Sequence, residues 1–140
     1  MVDSIAPYGL ALISLGLFVI LAQSLSAVSA VARSKAGYGP GEVPPVNYAD
    51  RVYRTCRAYQ NSVDNIGPFA AAVAAAILAG AAPILVNLFS AVAILARLGF
   101  AYVYFQGIGP ADQGPRSILY VVNSVMTIAL AVIAILAVMF

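Results

Sequence analysis

The 140-residue chain has no histidine, no tryptophan, one cysteine and little charge, with seven Lys and Arg against five Asp and Glu. Each shortage excludes something. Without histidine there is no Ser-His or Cys-His nucleophile system. With Cys56 alone, no intrachain disulfide can form. A zinc site would have to rest on carboxylates, and these are scattered along the chain. A net charge of +2 is too small for a nucleic-acid-binding surface. What is present is apolar: 63% of the residues are hydrophobic and 9% charged, where a soluble domain is about half apolar and about a quarter charged. The composition is that of a membrane protein.

Four apolar runs approach or exceed the roughly 20 residues that span a bilayer. They predict helices over about 5–33, 48–80, 82–106 and 115–140, in one domain covering 1–140. The fold class expected is all-α, an integral membrane four-helix bundle. The first run has no basic region ahead of it and reads as a retained helix. GYGPGEVPP (37–45) and GIGPADQGP (107–115) cannot be helical and mark loops. AGAAP ends at Pro83, which suits the first turn of the third helix and makes helices two and three antiparallel neighbours. Pro68 is expected to kink the second helix. Arg33, Lys35, Arg51, Arg54 and Arg116 flank the first and third loops. By the positive-inside rule these loops are cytoplasmic and both termini lie on the non-cytoplasmic side. The alanine-rich composition suggests a bacterial inner membrane.

The second helix opens with charge. Asp50, Arg57, Asn61 and Asp64 share one face, with Arg54 a little beyond. Lipid penalises such a face, so it points into a bundle, a cavity or another subunit. The third helix adds Arg97 and Tyr104, seven residues apart. The fourth adds Arg116, Tyr120 and Asn123 at i, i+4, i+7 spacing. Arg97 lies deeper than Tyr104 and needs a partner, and Asp64 has a suitable depth for an ion pair. That pair serves equally well as architecture. Taken together, the arginines, Asn61 and the tyrosines form a site for a carboxylate-bearing small molecule, with planar bidentate donors. Lipid-facing surfaces beside it admit a hydrophobic co-substrate. Cys56 reads as a small packing residue.

RVYRTCRAYQNSVDNIGPF (51–69) resembles the second-helix signature of the MAPEG family, the membrane-associated proteins in eicosanoid and glutathione metabolism. The matching residues are Arg57-Ala58, Asn61, Asp64, Ile66 and Pro68-Phe69. YFQG (104–107) is similar to the end of the third helix in the leukotriene synthase branch. Arg97 matches an arginine of that helix, and Pro115-Arg116-Ser117 with Tyr120 resembles the start of the fourth. The similarity covers residues 50–120. Asp64 stands where the family has Glu. Phe100 stands where the prostaglandin synthase branch has histidine, which speaks against that activity.

The resemblance implies homotrimers of four-helix protomers, with glutathione bound between subunits. It places Arg57, Asn61 and Asp64 in or beside the site, with Arg54 and Arg33 as further glutathione-binding residues. Tyr104, Arg116, Ser117 and Tyr120 complete it from helices three and four. Arg116 would hold the glutathione sulfur as thiolate, and Ser117 would donate a hydrogen bond to it. The function implied is a microsomal-type glutathione transferase or glutathione-dependent peroxidase acting on a hydrophobic electrophile or lipid. The alternative is a non-catalytic lipid-binding or scaffold protein on the same fold. A channel is disfavoured, because Ile66 to Ala79 and Ile128 to Phe140 offer almost no polar groups.

Overall fold

Helix boundaries fall where cap chemistry puts them. The computed structural model describes residues 2–110 and 113–140. A single helical turn, Val2–Ile5, and a 3-10 turn, Ala6–Tyr8, lead into α1 (Gly9–Lys35). Then come α2 (Arg51–Leu78), α3 (Pro83–Gln106) and α4 (Pro115–Met139). No strand occurs among the described residues. Pro83 and Pro115 open α3 and α4, where a missing N–H costs nothing. α2 begins at Arg51 rather than near 48, because the Asp50 side chain accepts the Val52 N–H at 2.8 Å and caps the helix. Tyr48 therefore sits in the loop. α2 continues through Pro68, which is exposed. Ala111 and Asp112, in the expected GIGPADQGP link, lie outside the described residues.

The four helices run up-down-up-down. α2 and α3 pack on each other and on both α1 and α4, which stand at opposite corners of the bundle. One end of the bundle is fastened by hydrogen bonds from the N-terminal segment to the α2–α3 turn and the start of α3. The Tyr8 hydroxyl donates to the Ala81 carbonyl at 2.7 Å. Asn87 accepts the Ala11 N–H at 2.9 Å and donates to the Pro7 carbonyl at 2.8 Å. The other end gathers the close of α1, the starts of α2 and α4, and the close of α3. It holds six of the seven basic residues: Arg33, Lys35, Arg51, Arg54, Arg57 and Arg116.

Three helical stretches are long and apolar enough to cross a membrane: Ala6–Lys35, Pro83–Gln106 and Pro115–Met139. The outer surface fits lipid. On α4, Ile118, Val121, Val125, Ile128, Val132 and Ile135 are all exposed, at alternating spacings of three and four. A stripe that a soluble helix buries is here turned outward. α2 is long enough, at 28 residues, but its charged first half keeps it below that level of apolarity.

Two apolar cores fill the interior. Phe18, Phe69, Val73, Val86 and Leu130 belong to the core toward the α2–α3 turn. Leu25, Ala58, Phe100, Ala101 and Tyr104 belong to the core toward the basic end. A polar layer lies between them: Asn61 and Asn65 of α2, Arg97 of α3 and Asn123 of α4.

Candidate functional site

The polar layer is a chain of hydrogen bonds. Arg97 is fully buried, and its Nη1 donates to Asn61 Oδ1 at 2.7 Å. Asn65 Nδ2 donates to the Asn61 carbonyl at 2.8 Å and to Asn61 Oδ1 at 3.3 Å. Asn123 Nδ2 donates to Asn65 Oδ1 at 3.3 Å. The Arg97 guanidinium also lies 4.9 Å from the Phe100 ring centroid and 5.6 Å from that of Phe18, where the ring faces attract a cation. The ion pair expected between Arg97 and Asp64 is not formed among the described residues. Asp64 is exposed, and Asn61, one turn earlier, is the residue turned toward α3.

With two donors on its Oδ1, the Asn61 amide is fixed in orientation, which leaves its Nδ2 free to donate. Asn61 borders a cavity of about 270 Å³ that Phe100, Tyr104, Arg116, Ser117 and Tyr120 also line. Arg116 is the charge here. It is 6% exposed. Its guanidinium carbon lies 4.8 Å from the Tyr48 ring centroid and 4.9 Å from that of Tyr104. Its Nη2 donates to the Pro110 carbonyl of the α3–α4 loop. The neighbouring Ser117 and Tyr120 are exposed at the cavity. The Tyr48 phenol is held below its ordinary pKa, chiefly through hydrogen bonding with Tyr104. Burial opposes this, and the Arg57 and Arg116 charges add to it.

Five of the expected residues thus share one cavity: Asn61, Tyr104, Arg116, Ser117 and Tyr120. Four others do not line it. Arg54 is spent on backbone carbonyls, donating through Nε to Tyr104 at 3.2 Å and through Nη1 to Tyr48 and Ala49 at 2.8 Å each. It ties the close of α3 to the start of α2. Gly107 makes room for it: φ is +69° there, and an added Cβ would lie 2.8 Å from the Arg54 guanidinium carbon. Arg57 Nη1 donates to Gln60 Oε1 at 3.1 Å. Arg33 lies on the α1–α2 flank, donates to the Glu42 carbonyl at 3.2 Å, and borders a recess with Cys56, Tyr59 and Gln60. Asp64 is the fourth. The buried Nε atoms of Arg33 and Arg57 have no hydrogen-bond partner among the described residues.

Sequence reasoning missed Tyr48 and Asn65. Tyr48 acts from a loop, where periodicity gives no direction. Asn65 did carry a signal, an amide four residues past Asn61 as the helix turns apolar.

The model of the MAPEG family matches residues 10–136. No curated protein matches the chain.

Proposed function

The chain belongs to the MAPEG family of membrane proteins, which includes glutathione transferases, and from that premise we propose that it is a membrane glutathione transferase or glutathione-dependent peroxidase acting on hydrophobic electrophiles. The observation that carries this reading is the Arg116 cavity. A buried guanidinium, a fixed Asn61 amide, the Ser117 hydroxyl and two tyrosines surround a space that opens on the apolar exterior. The guanidinium groups of Arg33 and Arg57 suit the carboxylates of the tripeptide by charge.

A thiol with a pKa near about 8.5 is mostly protonated at neutral pH. Positive charge from Arg116 favours the thiolate, and the proton leaves to solvent. The sulfur lone pair then bonds to an electrophilic carbon, and the leaving group departs with its electron pair. With a lipid hydroperoxide, sulfur attacks the distal oxygen and the O–O bond breaks. The lipid alkoxide takes a proton from solvent and leaves as alcohol, and a second glutathione thiol converts the sulfenic acid to disulfide and water. The Ser117 hydroxyl supplies a hydrogen bond to the sulfur anion.

The expected glutathione ligands divide between two regions of one protomer, with Arg33 on the α1–α2 flank and Arg116 at the α3–α4 cavity. A homotrimer in which a neighbouring copy brings the two together accounts for the split. The basic end faces the cytoplasm in this reading, in a bacterial inner membrane. One observation favours the non-catalytic, lipid-binding alternative: Arg116 already donates to Pro110, which engages part of its guanidinium.

Calorimetry on the detergent-purified protein tests the proposal. Saturable glutathione binding, weakened by Arg116→Ala and by Asn61→Ala, supports it. No heat at millimolar glutathione, from protein whose circular dichroism shows it helical, refutes it.

A further inference from the structure

On the flank away from Arg116, the last two turns of α1, the first turn of α2 and the close of α3 enclose a groove of about 480 Å³. Its walls are apolar. Val28, Val31 and Ala32 come from α1, Val52 and Thr55 from α2, and Phe105 from α3. The Thr55 hydroxyl donates to the Arg51 carbonyl at 2.8 Å, so it is already satisfied. Val28 to Lys35 gives about 10 Å of wall along the helix axis. Two cations, Lys35 and Arg51, also border the groove and lie at the basic end of the bundle. The Arg51 guanidinium carbon sits 4.6 Å from the Phe105 ring centroid, which holds it over the groove. Neither cation meets a carboxylate among the described residues. Glu42 instead accepts the Gly39 N–H, and Asp50 caps α2.

An apolar slot with uncompensated positive charge at its membrane-surface end matches an amphiphile with an apolar tail and an anionic head. A second protein helix would satisfy the slot but leave the two cations unmatched. We propose that this groove binds one acyl chain of an anionic phospholipid from the leaflet at the basic end, with the lipid phosphate held between Lys35 and Arg51. The lipid site is separate from the Arg116 cavity, with which it shares no lining residue. Each basic residue at a membrane surface strengthens anionic-lipid binding about fivefold, so the pair contributes on the order of 25-fold.

Native mass spectrometry of the full chain tests this, with phosphatidylglycerol and phosphatidylcholine of identical acyl chains titrated into the detergent. The native protein is expected to retain phosphatidylglycerol preferentially. Lys35→Gln with Arg51→Gln should abolish that preference, while the charge-preserving Lys35→Arg with Arg51→Lys keeps it and guards against a folding artefact. Val31→Trp fills the slot and should reduce retention of both lipids. Equal retention of the two lipids by the native protein overturns the proposal, as does a preference that survives loss of both charges. So does undiminished binding in Val31→Trp, or a Val31→Trp protein whose only change is a broken oligomer, which would make the groove a subunit contact.

Discussion

Asn61→Ala should destabilise the bundle far more than its size suggests, because it strands a buried charge. Arg97 has one hydrogen-bond acceptor among the described residues, Asn61 Oδ1, and its Nε and Nη2 are buried without partners. A hydrogen bond to a charged group contributes about 1.5–3 kcal/mol in water-soluble proteins. Interhelical bonds in membranes reach about 1.7 kcal/mol. Removing one partner of a buried charge costs more, about 3–5 kcal/mol. The Phe18 and Phe100 rings stay in place and retain part of the stabilisation, so the expected loss is about 2 kcal/mol. Arg97→Leu removes the charge with its desolvation cost and should lose less. The double variant should then be about as stable as Arg97→Leu alone, a coupling of about 2 kcal/mol. Reversible unfolding in mixed micelles with increasing SDS, followed by circular dichroism without glutathione, measures all four proteins. Additivity within about 0.5 kcal/mol would refute the reasoning, since it would mean that Arg97 does not depend on Asn61.

Gly107→Ala should lower stability by about 1–2 kcal/mol in the same assay, since φ is positive there and the new Cβ meets Arg54. Asp50→Ala should cost about 1 kcal/mol through the lost α2 cap. Cys56 is buried and accepts a hydrogen bond from Ser29 at 3.3 Å. It should resist maleimide in mild detergent and react once SDS opens the bundle; rapid labelling of the folded protein would contradict that packing. In the proposed reaction, the pH–rate profile should rise at a pH below the ordinary thiol value and move up by about one unit in Arg116→Ala; an unmoved profile excludes Arg116 from thiolate stabilisation.

The four helices were legible because Gly- and Pro-rich breaks separate runs of bilayer length, and because Pro83 and Pro115 suit helix starts. The polar face of α2 was legible too, since an amide and charges at helical spacing cannot meet lipid. The choice between Asn61 and Asp64 was not. They sit three residues apart, and the rotation of α2 that decides between them is set by how Ala58 and Ser62 pack, which no periodicity encodes. Arg54 was opaque for another reason. Its carbonyl acceptors include Tyr104, at the end of a helix fifty residues away, and a backbone oxygen left free by a helix end has no signature in sequence. Arg33 and Arg116 read alike as anion ligands, yet the fold sets them in different regions of one protomer.

The polarity of α2 also bears on how the chain leaves water. Of the four long helices, it alone is not among those long and apolar enough to cross a membrane. Only residues 79–82 separate it from α3, which is. Insertion as a two-helix hairpin lets Asn61 meet Arg97 before either is exposed to hydrocarbon, so each lowers the barrier for the other. The hydrogen bond at the centre of the finished bundle thus also eases its assembly.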